Sequence, residues 1–158
     1  MRLAAFMIAA LVPMVAVPAP ATVRADSNGK PCFTVDAAAE QQDGTAQFRS
    51  VTVVDVADAS LAWQMALPSG RSFALAHTIC IPYAGRVTAL PQTPAAPLVP
   101  GRVYRVTLAV RNWDRPKAPR AYTAHFCLVG AAQAVRQLEE GAGCPAGLDN
   151  SEGEGAIR

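Results

Sequence analysis

Tyr104-Arg105-Val106-Thr107-Leu108-Ala109-Val110-Arg111 alternates apolar and polar side chains along its length. Successive strand residues point to opposite sides, so Tyr104, Val106, Leu108 and Val110 share one face while Arg105, Thr107 and Arg111 share the other. A half-buried strand of this kind needs partners, and the flanking sequence supplies them. Tyr122, Ala124, Phe126 and Leu128 form the apolar face of a second long strand. Phe48 to Val56 is dense in β-branched residues with both faces partly apolar, as expected mid-sheet. Leu61, Trp63, Met65 and Leu67 alternate with small or polar neighbours until Pro68-Ser69-Gly70 turns the chain. Phe73 and Leu75 continue an alternation whose register beyond His77 suggests a bulge. Pro31 to Ala37 reads as a first strand and Glu40 to Gly44 as a polar loop. The prolines at 82, 91, 94, 97 and 100 mark a surface crossing, with room for a short edge strand at 86–89. Residues 130–140 fit either a helix or a returning strand. Short strands separated by turn residues give an all-β fold, a sandwich of about seven strands in one domain.

The N-terminus has a different character. A basic start, Met1-Arg2, leads into an apolar run from Leu3 to Val17, and Val23-Arg24-Ala25 ends in a small-x-small pattern. The run is too short for a spanning helix and reads as a cleavable signal over 1–25, with the sandwich over 26–140 and a flexible tail over 141–158. The product is expected to be periplasmic or secreted, with no stable membrane anchor. Loss of Arg2 and Arg24 brings the 14 basic residues level with the 12 acidic ones. A neutral chain argues against nucleic acid as a partner.

An oxidising compartment lets the four cysteines pair. Of the three possible connectivities, strand adjacency favours Cys32–Cys80 with Cys127–Cys144, each bridge contributing roughly 2–5 kcal/mol. His77-x-x-Cys80 and His125-x-Cys127 have spacings that suit zinc or copper, but oxidised cysteines offer no thiolate, and no metal or other cofactor is expected. Catalytic motifs are missing: no Gly-x-Ser-x-Gly, no His-Glu-x-x-His and no phosphate-cradling loop. Asp55, Asp58 and Asp114 fall at strand ends or turns, so the sequence points to a protein that is not an enzyme.

The segment from Arg111 to Arg120 is the most unusual on the surface. Arg111, Arg115, Lys117 and Arg120 surround Trp113, and Arg and Trp are the residues that most often anchor protein interfaces. It is the candidate partner-binding loop, against the plainer reading of a long hairpin with Trp113 folded back. Leu98-Val99-Pro100-Gly101 followed by Tyr104 resembles the tyrosine corner of fibronectin type III sandwiches, where the phenol bonds back to the turn and pins the crossing. That likeness implies an immunoglobulin- or fibronectin-like sandwich, stapled here by disulfides.

A broader resemblance covers residues 31 to 138. Cys32-Phe33-Thr34-Val35, the 48–56 strand with Trp63, Cys80-Ile81-Pro82-Tyr83, Pro100-Gly101-Arg102-Val103-Tyr104-Arg105-Val106 and Ala121-Tyr122-Thr123-Ala124-His125-Phe126-Cys127-Leu128 are similar, in order, to pieces of a family of small enterobacterial-type periplasmic lipoproteins assigned as type VI secretion immunity proteins. Members usually carry a lipidated cysteine, which this chain lacks, and Cys144 looks like an addition. The resemblance implies an exported protein-binding module, an immunity protein that occludes a secreted effector or toxin. The alternatives are a metal or small-ligand carrier using His77, His125 or the cysteines, and a structural accessory of an envelope complex.

Overall fold

The computed structural model describes residues 19–85, 87, 89–111 and 117–146. They form nine strands and one short helix: β1 (Ala19–Ala25), β2 (Pro31–Val35), α1 (Ala37–Asp43), β3 (Ala46–Asp55), β4 (Leu61–Ala66), β5 (Phe73–Leu75), β6 (Ile81–Pro82), β7 (Tyr104–Arg111), β8 (Ala121–Val129) and β9 (Ala134–Leu138). The expected all-β class is what the chain adopts. Its architecture is a curled mixed sheet whose path runs β4-β3-β7-β8-β1-β2-β6, with β5 beside β3 and β9 beside β8.

β3 and β7 lie at the centre. They pair antiparallel from Gln47↔Arg111 to Asp55↔Tyr104, and β7 pairs in turn with β8 from Tyr104↔Phe126 to Ala109↔Ala121. The face carrying Tyr104, Val106, Leu108 and Val110 is buried, as its alternation requires. Beside it on the same face, their cross-strand partners Phe48, Val51 and Val53 of β3 and Tyr122 and Phe126 of β8 are fully enclosed. The curl brings β2 over this layer, and Phe33 meets Phe126 with ring centroids 5.5 Å apart.

β1 holds the curl together. Ala19 and Pro20 pair in parallel with Tyr122 and Thr123 of β8; from Ala21 to Ala25 the strand turns to β2, in antiparallel register from Ala21↔Val35 to Ala25↔Pro31. Ala21 and Val23 are buried. The domain boundary expected at Ala25 thus falls at the end of a strand that connects the two halves of the sheet.

Several local readings are corrected. The first strand stops at Val35, and the loop expected over Glu40–Gly44 lies within α1 and its cap. Asp36 caps α1 by accepting from the amides of Ala38 (2.8 Å) and Ala39 (3.4 Å), and Gly44 closes it at a φ of 79°. In β4 the register against β3 shifts between Val53↔Trp63 and Val54↔Leu61, so Ala62 is an extra residue. That bulge moves Leu61 off the apolar face to 46% exposure. A second shift, between Phe48 and Ser50, makes Arg49 the extra residue of β3. Within residues 130–140, Ala134–Leu138 form the returning strand β9.

The proline-bearing crossing follows the outer edge of β4. Met65 bridges Gln92, and the amides of Ala66, Thr93 and Ala96 donate to the carbonyls of Pro91 (3.0 Å), Gln64 (2.9 Å) and Ala62 (2.9 Å). Proline keeps its carbonyl, so Pro91 accepts where it cannot donate, and the segment closes an edge that would otherwise invite pairing. Of the short edge strand expected at 86–89, positions 86 and 88 lie outside the described residues.

Candidate functional site

The basic hairpin lies between β7 and β8. The Val110 amide donates to the Arg120 carbonyl at 3.0 Å, closing the hairpin's base. Arg111, Lys117 and Arg120 are exposed there. Trp113 and Arg115 lie outside the described residues, so the structure places only the rails of the candidate loop.

At the opposite end of β7, the Tyr104 phenol accepts a hydrogen bond from the Val99 amide at 2.8 Å. Gly101, at a φ of 82°, sends its amide to the Leu128 carbonyl at 2.9 Å. A residue with a β-carbon is strained at that φ, which accounts for glycine after Pro100. Arg102 then reaches across the corner, with Nε 2.7 Å from Asp55 and Nη2 2.9 Å from Asp58. Asp55 is buried and also accepts from the Ala57 amide at 2.9 Å. Hydrogen bonds from Ser60, reinforced by Arg102, hold the Asp58 carboxyl down at about 2. These groups fasten the β3–β4 turn to the crossing, so Asp55 and Asp58 are structural anchors here.

The four cysteines form Cys32–Cys80, with a Cα separation of 5.5 Å, and Cys127–Cys144, at 5.9 Å. This is the connectivity that strand adjacency favours. The first bridge ties β2 to the segment entering β6. The same segment covers the outer side of β2, where the Thr34 hydroxyl donates to the carbonyls of Ala76 (3.2 Å) and His77 (3.3 Å). The second bridge fastens the start of the expected tail to β8.

His77 is not beside a thiolate. Its Nδ1 lies 2.6 Å from Glu40 Oε2, and its own amide donates to the same oxygen at 2.8 Å. Thr45 donates to Glu40 Oε1 at 2.8 Å. These contacts, the His77 amide foremost, hold the Glu40 carboxyl below its ordinary range. A carboxylate orienting an imidazole is half of a catalytic arrangement, yet among the described residues no serine, threonine or cysteine side chain is hydrogen-bonded to the ring. His125 sits apart on β8, paired across the sheet with Arg105 and Leu138. Among the described residues, no group of three His, Cys, Asp or Glu side chains is positioned to hold a metal ion. No described helix is long and apolar enough to cross a membrane.

A shallow cleft of about 650 Å³ opens beneath the crossing, lined by Tyr83, Ala84, Ala95, Pro97, Leu98 and Leu128 among others. Tyr83 lines it, and its hydroxyl is directed to the carbonyls of Ala96 (2.6 Å) and Ala62 (3.1 Å). Burial, with the nearby Tyr104, pushes its ionisation up to about 12. Sequence reasoning missed this cleft because it arises where the crossing meets the β1–β2 and β8–β9 turns, and no local motif encodes that. Its lining mixes alanine, proline and leucine side chains with the polar Asn28, Lys30 and Gln133. No protein-family profile, no curated protein and no solved structure matches this chain.

Proposed function

We propose that this chain is an exported, non-enzymatic module that binds another protein. The observation that carries the reading is the described base of the segment between β7 and β8: Arg111, Lys117 and Arg120 are exposed where the Val110–Arg120 hydrogen bond joins its two sides. Exposed basic side chains at the base of the loop present a cationic surface, and complementary charge speeds encounter with an acidic partner. The narrower form of the proposal, drawn from the resemblance, is a periplasmic immunity protein that covers the active cleft of a secreted toxin. Two disulfides are compatible with export. The test is affinity capture from the native host, followed by binding measurements on the Lys117→Glu/Arg120→Glu variant. A stoichiometric acidic partner whose affinity falls at least tenfold with that variant supports the reading. Unchanged affinity removes the hairpin as the binding surface, and a partnerless protein removes the reading.

The small-ligand carrier remains a second reading because of the cleft beside Tyr83. Native mass spectrometry of the purified protein separates the two: a retained small molecule favours a carrier.

A further inference from the structure

β1 occupies the very residues that the small-x-small pattern at Val23-Arg24-Ala25 would remove with the signal. Its integration is extensive. Thr22, Val23, Arg24 and Ala25 pair with Thr34, Phe33, Cys32 and Pro31 of β2. Val23 is 6% exposed, in the core with Phe33 and Phe126. Gln137 of β9 accepts from the Val23 amide at 2.7 Å and donates to the Ala21 carbonyl at 3.2 Å. Arg24 donates to the Thr78 carbonyl at 3.0 Å.

Removing residues 19–25 would leave β2 paired only with the two-residue strand β6, and would break the sheet path between β8 and β2. The inner edges of β8 and β2 would be left as open templates for pairing with other chains. A second small-x-small pattern, Ala19-Pro20-Ala21, lies just upstream; a cut there gives up the Ala19 and Pro20 pairing with β8 and the buried Ala21, but spares the inner edge of β2. A cut after Ala21 leaves Thr22 to Ala25 in register, keeps Val23 in the core and keeps the Gln137 bond to its amide.

We propose that the signal is cut no later than the Ala21–Thr22 bond, so that the mature protein retains β1 from Thr22 onward. The step is hydrolysis by a signal peptidase: water adds across one peptide bond, leaving a carboxylate on the leader and an amine on the mature chain. The proposal rests on the export reading and is tested separately from it.

The full chain is expressed with export, and the mature form is examined by N-terminal sequencing and intact mass, beside an Ala25→Leu variant. Ala25 is exposed, so the longer side chain is tolerated by the fold while blocking any cut that follows it. In parallel, chains starting at Thr22 and at Asp26 are compared by urea unfolding. The expected result is a mature start at Thr22 or earlier, normal processing of Ala25→Leu, and a lower urea midpoint or lost cooperativity for the Asp26 chain. A mature start at Asp26, or blocked processing of Ala25→Leu, overturns the boundary while leaving export intact. An uncut chain beginning at Met1 overturns export, and the boundary with it.

Discussion

The Gln137 side chain does for Val23 what a strand backbone would. Its amide oxygen accepts from the Val23 amide at 2.7 Å, and its nitrogen donates to the Ala21 carbonyl at 3.2 Å. β1 reaches this point after leaving β8, whose next residues are already paired with β9. Without Gln137 these two groups of β1 would lose their partner on that side.

Gln137→Ala is therefore expected to lower stability by about 1–3 kcal/mol, the cost of leaving part-buried polar groups unpaired. In a chain that keeps Ala21, Gln137→Glu retains the acceptor for Val23 but sets a carboxylate against the Ala21 carbonyl, and should fall at least as far at neutral pH. Urea unfolding measures both. Hydrogen exchange at Val23 locates the effect, and protection there should drop before protection in β7 does.

Tyr122 gives a prediction of opposite sign. Its ring is fully buried, and among the described residues its hydroxyl has no hydrogen-bond partner. Burial, with Asp43 and Glu40 nearby, raises its ionisation. Tyr122→Phe removes an unsatisfied oxygen while keeping the ring, so stability should hold or rise by about 1 kcal/mol. A loss of more than about 1 kcal/mol in thermal or urea unfolding would show that the hydroxyl has a partner in solution.

The long central strands were legible because alternation over many residues has one explanation. Tyr104 to Val110 and Tyr122 to Phe126 occupy the faces their pattern assigns. α1 escaped because only Ala39 of its residues is buried, so the helix has no apolar stripe to read. Its signal lay in the caps, Asp36 before a run of alanines and Gly44 after. Leu61 misled because a single extra residue, Ala62, resets an alternation that was otherwise regular. β1 was obscured by composition: a short strand of Ala, Pro and Val between an apolar leader and a turn reads equally well as the end of a signal. Of the candidate site, the cysteine pairing followed from strand adjacency. The cleft beside Tyr83 depends on long-range folding of the crossing, which no local spacing conveys.

Acid should loosen the contact between α1 and the 76–80 segment first. Glu40 is held below its ordinary ionisation by the His77 amide, the His77 ring and Thr45. A depressed carboxyl binds fewer protons in the folded state than in the unfolded one. Its contribution is thus present at neutral pH and is lost as pH falls below about 4.5 towards the folded-state value. Stability of Glu40→Gln relative to the parent should be lower at pH 7, and the gap should close by pH 3. A gap that stays constant between those two pH values would show that the charge on Glu40 is not what matters.

The two disulfides should contribute unequally. Cys32–Cys80 closes a separation of 48 residues and Cys127–Cys144 one of 17. Chain-entropy reasoning then assigns about 4 kcal/mol to the first and about 3 kcal/mol to the second, as constraints on the unfolded chain. Location widens the difference. Cys32 lies in β2, every residue of which is buried, and its bridge also holds the segment that receives bonds from Thr34 and Arg24. Cys127–Cys144 joins β8 only to the chain beyond β9. Cys32→Ala/Cys80→Ala should lower the urea midpoint more than Cys127→Ala/Cys144→Ala, and should also speed exchange at the amides of β1. The reverse order would place the weaker half of the sheet at β8 and β9, leaving β1 and β2 able to hold the curl without their bridge.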